Sequence, residues 1–165
     1  MCGINGFNFE DKNLIEKMNR LLKHRGPDSN GKYTDSSVSL GHTRLSIIDL
    51  SSAGNQPMSN EDESVWITYN GEAYNFKELK KNLKKKYKFK SETDTEVLIH
   101  LYEEHGREML PMLNGMFAFC IYDSNKKQLL LARDRTGVKP LYYYFDGDKF
   151  IFSSEIKAIL AHKIP

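Results

Sequence analysis

Long apolar runs, a basic leader and paired cysteines are all missing from this chain of 165 residues. No stretch approaches the ~20 apolar residues that span a bilayer. The start, Met1-Cys2-Gly3-Ile4-Asn5-Gly6, lacks the basic and apolar regions of a signal peptide. These absences predict a cytoplasmic protein with no membrane partner. Charge of one sign is scarce as well: 24 Lys and Arg oppose 22 Asp and Glu, a net +2. That is far from the balance of a dedicated nucleic-acid binder. The lysines between Lys77 and Lys90 flank Phe76, Leu79, Leu83 and Tyr87, so they read as the solvated faces of a helix and no nucleic-acid partner is predicted. Cys2 and Cys120 match no metal-binding or redox spacing and are expected to be reduced, and the five histidines are scattered, so no metal site is predicted.

What remains is a globular composition, 39% hydrophobic and 12% aromatic, on a chain the length of one domain. Leu14, Ile15, Met18, Leu21 and Leu22 recur at helical spacing up to His24-Arg25-Gly26-Pro27-Asp28. Val38 to Ile48 reads as one or two strands, followed by a Ser/Gly/Asn/Pro-rich loop from Ser51 to Asn60. Ser64 to Tyr69 reads as a strand ending at Asn70-Gly71-Glu72. Asn75 with Glu78, and Thr93 with Glu96, have capping-box spacing ahead of two helices, the second closed by Gly106. A shorter helix is expected around Glu108 to Leu113.

Met116 to Tyr122 and Leu129 to Ala132 predict a hairpin buried on both faces, Leu141 to Phe145 and Lys149 to Phe152 a second hairpin, and Glu155 to Ala161 a terminal helix. Strands and helices come in runs, so the class is α+β, with sheets packed together and helices outside. Tyr142-Tyr143-Tyr144 is assigned to strand packing and Cys120 to the core. Lys163-Ile164-Pro165, directly after a helical pattern, reads as a domain edge.

Chemistry is concentrated at Cys2. Once the initiator Met1 is removed, its thiol sits beside a free α-amine, and pKa values near ~8 for the amine and ~8.5 for the thiol make that amine a base for the thiol. Alone, a cysteine at position two is an ordinary occurrence. Its company changes the reading: His24-Arg25-Gly26-Pro27-Asp28, Gly41 to Asp49, Gly54-Asn55-Gln56-Pro57, Asn70 to Asn75, Ser91 to Glu96, Leu113 to Phe119 and Arg133 to Tyr142 follow in order. In these motifs nearly the whole chain closely resembles the N-terminal glutaminase domain of glutamine-hydrolysing asparagine synthetases, which are glutamine amidotransferases of the N-terminal-nucleophile class.

The resemblance implies a four-layer αββα sandwich over residues 1–165 and hydrolysis of the glutamine side-chain amide to glutamate and ammonia. It makes Cys2 the nucleophile, with its own α-amine handling protons. Asn70, through its side-chain amide, and Gly71, through its backbone N–H, become the oxyanion donors. It assigns Arg44 to the substrate α-carboxylate, Asp94 and Glu72 to the α-ammonium, and backbone groups of Leu45 and Ile47 to the substrate. No cofactor is implied for this domain; ATP and magnesium are expected only for a synthetase half, which these residues do not contain. The implied partners are glutamine and that synthetase domain, in cis or in trans, with a homodimer as a further expectation. Ala73 departs from the family, where a larger aliphatic residue is usual. A non-catalytic glutamine-binding module and the glutaminase half of another amidotransferase stay open as alternatives.

Overall fold

A computed structural model describes residues 1–163, so Ile164 and Pro165 of the expected domain edge lie outside the described residues. Among the described residues nine strands form two antiparallel sheets. The first contains β1 (Gly3–Phe7), β2 (Ser29–Thr34), β3 (Ser39–Arg44), β8 (Tyr142–Phe145) and β9 (Phe150–Ser153) in the order β2-β3-β1-β9-β8. The second runs β4-β5-β6-β7, from β4 (Met58–Ser59), β5 (Val65–Ala73), β6 (Gly115–Asp123) and β7 (Gln128–Arg133). Helices α1 (Lys12–Leu22) and α4 (Ile156–Ile159) cover the first sheet, while α2 (Phe76–Asn82) and α3 (Asp94–His105) cover the second.

Period-two alternation builds the layers. On β6, Phe117, Phe119 and Ile121 face the α2/α3 layer, whereas Ala118, Cys120 and Tyr122 face the opposite sheet. On β1 and β9, Phe7 and Ile151 pack beneath Leu14, Ile15, Met18 and Leu22 of α1, while Ile4 and Phe152 join the inter-sheet core. Three apolar cores between four layers give the αββα sandwich that was expected. Asp11 caps α1 by accepting from the N–H groups of Asn13 and Leu14 at 3.1 and 2.8 Å. No helix among the described residues is long and apolar enough to cross a membrane.

Several local expectations are corrected. β5 does not end at Asn70 but runs on to Ala73, because each residue from Val65 to Ala73 pairs with β6. Ile47 and Ile48 lie beyond the end of β3 and are exposed. The polar segment Ser29–Thr34, with no hydrophobic alternation, becomes a strand by pairing along β3. The helix after Asn75 stops at Asn82, and Tyr87 instead stacks on His100 with ring centroids 3.9 Å apart. Asn75 does not cap it; the side chain bonds Met112 O and Asn114 N, both at 3.0 Å. Glu96 reaches back past Thr93 to the N–H groups of Lys90 and Ser91 at 2.8 and 2.7 Å. The turn after α3 is a 3-10 helix, Gly106–Met112. β7 is only half-buried, and on the edge strand β8 Tyr142 and Tyr143 are exposed, although Tyr143 stacks on Phe150 with ring centroids 5.8 Å apart and Tyr144 packs against the core beneath α1 as expected of a packed strand.

Between the sheets His42 is fully buried, its Nε2 donating to Tyr69 O at 3.1 Å. A carbonyl only accepts, so the proton sits on Nε2 and Nδ1 is left as a buried acceptor without a partner. Desolvation lowers its pKa to about 4 from 6.5. Between these values the unfolded chain binds the extra proton, so stability is present above pH 6.5 and falls as the pH drops. Chemical denaturation of the wild type and of His42→Gln is expected to show an additional loss of about 3 kcal/mol in the wild type by pH 4.

Candidate active site

Cys2 leads into β1 at one end of the sandwich, and its neighbours explain the His24-to-Asp28 motif. Arg25 Nε donates to Cys2 O at 3.0 Å, while Arg25 Nη1 bonds Glu155 at 3.1 Å. Gly26 permits this turn to lie on β3, since a Cβ there would stand 2.3 Å from the Thr43 carbonyl. Asp28 accepts from Ser46 N at 2.8 Å and so holds the chain just past β3. There the Leu45 N–H meets Cys2 Sγ at 3.4 Å, and the thiol points back to Leu45 O at 3.6 Å. Burial pushes the thiol up; the Leu45 N–H, the N-terminal ammonium, Arg44 and Lys139 oppose that rise.

The second wall of the cleft is the edge of β5. Strand β4 is only two residues long and pairs with Trp66 and Ile67, which leaves the edge beyond them open. On that edge Tyr69 N–H donates to Gln56 Oε1 at 2.7 Å, and Ala73 N–H donates to Asp94 Oδ2 at 2.8 Å. Gly71 lies between them and shares their direction, because N–H groups two residues apart point the same way. Its partner across the sheet, Phe117, uses both its N–H and its C=O on Asp134. The Gly71 N–H therefore faces the cleft. Beside it the Asn70 amide is 2 % exposed, and its Nδ2 is buried with no hydrogen-bond partner.

Arg44, at the end of β3, is buried with its guanidinium bonded to Ser51 O at 2.7 Å, Asn55 Oδ1 at 3.0 Å and Asp49 O. Gly54 gives it room, as a Cβ there would lie 2.2 Å from Nη2. Asp94 opens α3; its Oδ2 also accepts from the Tyr69 hydroxyl at 2.8 Å, and burial pushes the carboxyl up against these bonds. Glu72 is half-buried on β5, and Ile47 stands exposed on the rim. Cys2, Arg44, Leu45, Ile47, Asn70, Gly71, Glu72 and Asp94 all line this one cleft. Backbone groups of Leu45, however, are turned to the Cys2 sulfur.

Gln56 and Lys139 line the same cleft and were not singled out from sequence. Gln56 stands within the quoted Gly54-to-Pro57 motif, and its Nε2 donates to Thr95 at 3.2 Å. Lys139 is delivered by the turn after β7, where Asp134 accepts from the N–H groups of Phe117, Thr136, Val138 and Lys139 at 2.9–3.2 Å. Burial would push the Asp134 carboxyl up, but these donors hold it well below the usual carboxylate range. Arg133 closes the turn on Lys139 O and Gly137 O, both at 2.6 Å. Among the described residues, Glu61, His100 and Glu103 come close enough to share a cation, but none of them lines the cleft.

A family model described as a glutamine amidotransferase domain matches residues 1–165. The chain belongs to this glutamine amidotransferase family. The domain is 46% identical to a putative asparagine synthetase [glutamine-hydrolyzing] 2 of Methanocaldococcus jannaschii, covering 99% of this chain and 36% of that protein. It is 45% identical to asparagine synthetase [glutamine-hydrolyzing] 1 of Bacillus subtilis, covering 97% and 27% respectively. The chain thus spans between a quarter and two fifths of the length of these relatives. A solved glutamine phosphoribosylpyrophosphate amidotransferase from B. subtilis superposes with a TM-score of 0.78 at 22% identity, covering 97% of this chain and 43% of that one. At that identity the likeness speaks for the amidotransferase fold alone.

The position of Gly71 imposes a second demand on the residue. A Cβ there would lie 2.5 Å from Met116 O and 2.8 Å from Phe117 Cα, both backbone atoms of β6. Gly71→Ala is expected to pry β5 from β6 and lower stability by about 1–3 kcal/mol, read as a reduced melting temperature.

Proposed function

We propose that this domain hydrolyses the side-chain amide of glutamine to glutamate and ammonia, with Cys2 as the nucleophile. The observation that carries this reading is a pair of unused donors, Asn70 Nδ2 and the Gly71 N–H, lining the cleft that holds the Cys2 thiol. An unpartnered buried donor is costly in the empty protein. It is repaid where an oxyanion forms.

Met1 stands before Cys2 with its sulfur against Lys139 Nζ at 3.4 Å. While Met1 is attached, the Cys2 nitrogen is an amide and cannot act as a base. Removal of Met1 turns it into the amine that takes the thiol proton. The sulfur then attacks the amide carbon, and the carbonyl oxygen becomes an oxyanion held by Asn70 and Gly71. Collapse breaks the C–N bond, the amine returns the proton to the leaving nitrogen, and ammonia departs from a γ-glutamyl thioester. Water activated by the same amine hydrolyses the thioester and restores the thiol.

Substrate recognition follows from the charges around the cleft. Arg44 keeps N–H groups beyond its three loop contacts for the α-carboxylate. Asp94 and Glu72 supply negative charge for the α-ammonium, with Ile47 contributing backbone groups at the rim, while the Leu45 backbone holds the Cys2 sulfur. This chemistry calls for no cofactor. The ammonia is destined for an ATP- and magnesium-dependent synthetase portion of the kind that the asparagine synthetases carry. An amidase chry2 of Gibberella zeae is 39% identical over 98% of this chain and 26% of that protein, so similarity in this domain does not fix the acceptor.

Intact mass before and after treatment with a diazo-ketone analogue of glutamine tests the nucleophile. The expected result is a chain without Met1 that gains one adduct, with neither adduct nor glutamate release in Cys2→Ala; turnover by a clean Cys2→Ala preparation defeats the reading. Asn70→Ala is expected to lower kcat by roughly 10²–10³-fold with little change in fold, as loss of one oxyanion donor does elsewhere. A variant that keeps wild-type kcat removes Asn70 from that role, and a purely glutamine-binding module would show no kcat to lose.

A further inference from the structure

Lys139 is 6 % exposed, yet among the described residues its ammonium bonds no oxygen; its contact is the Met1 sulfur at 3.4 Å. A thioether is a weak acceptor. Burying a cation without an anionic partner is costly, and such a group persists where another state of the protein supplies the anion. The turn that carries Lys139 is strongly built: Asp134 gathers its backbone N–H groups, and Arg133 fastens its carbonyls. So much local structure around an unpaired ammonium indicates placement rather than accident.

The charged groups around the cleft narrow the candidates for the missing anion. Arg44, from the end of β3, is a second cation, held by the carbonyls of Ser51 and Asp49 and by Asn55. Asp49 turns its carboxylate to the N–H groups of Ser51 and Glu92 at 2.8 and 3.2 Å. Asp94, from α3, is bonded to Tyr69 and Ala73. Glu72 on β5 lines the cleft without an ion pair to Lys139. His42 is neutral and points to Tyr69 O. Besides Glu72, and the Tyr69 hydroxyl that is bonded to Asp94, the group lining the cleft with Lys139 that can become an anion is Cys2, on which Lys139 and Arg44 both act as positive charges.

We propose that Lys139 is a positioning residue whose ammonium, freed from the Met1 sulfur once Met1 is removed, stabilises the Cys2 thiolate. The proposal rests on the reading of Cys2 as the nucleophile. The same fixed charge disfavours a second ammonium on the Cys2 nitrogen, so it also keeps that amine in its basic form. Loss of Met1 thereby does two things at once: it creates the base, and it releases the cation that the nucleophile needs.

The test is the pH profile of Cys2 alkylation by iodoacetamide in chain lacking Met1, read by mass on the N-terminal peptide. Cys120 does not interfere, being fully buried with its thiol pushed far up. In Lys139→Gln the midpoint is expected to rise by roughly one pH unit, as for loss of a nearby opposite charge. Lys139→Arg is expected to stay close to wild type. Should Lys139→Gln fail to fold, Lys139→Met keeps the volume of the buried stem and gives the same reading. An unchanged midpoint in a folded neutral variant overturns the proposal, and so does an equal rise in Lys139→Arg, which would assign the effect to packing of the turn. Glutamate release is measured on the same samples. Turnover with an unchanged midpoint sinks the role of Lys139 alone, whereas a shifted midpoint without turnover in any sample sinks the glutaminase reading alone.

Discussion

Backbone N–H groups along the edge of a strand must each find an acceptor or water, and this requirement on β5 organises the cleft. Because β4 stops after two residues, the edge beyond it has to be satisfied by side chains. Gln56 takes the N–H of Tyr69 and Asp94 that of Ala73. The group between them, on Gly71, has no such side-chain partner and faces the cleft. Two residues that serve the sheet thus frame the donor that the proposed mechanism uses, and their own positions follow from the loop before β4 and from the start of α3. The cleft and the sandwich are one construction.

Much of this was legible in the sequence, and the failures have identifiable physical causes. The layers followed from apolar runs such as Met116 to Tyr122, since a strand covered on both faces needs apolar side chains on both. Asn70-Gly71 read as the end of a strand because that dipeptide suits turns. Pairing with Ala118 and Phe117 overrode the preference, and the glycine is required by the backbone of β6 as well as by the cleft. Ser29 to Thr34 was missed because a strand on the edge of a sheet, paired along β3, needs no alternating hydrophobic face. Lys139 carried no local signal of its own. It stood inside the Arg133 to Tyr142 motif, but only the fold shows that the turn built on Asp134 delivers it to the cleft.

Electrostatics at the buried groups of the cleft is a balance between burial and the charges nearby. Burial pushes the thiol of Cys2 and the carboxyl of Asp94 toward their neutral forms. Arg44 and Lys139 draw the thiol the other way. Both influences meet on the sulfur that the proposed mechanism uses as its nucleophile.

The outer strand β8 carries a different consequence. Among the described residues it pairs only with β9, and its Tyr142, Tyr143 and Phe145 are exposed. A free strand edge bearing aromatic side chains is a template on which another strand can be laid. At high concentration of the domain, such a border favours edge-to-edge association of two copies over their staying apart.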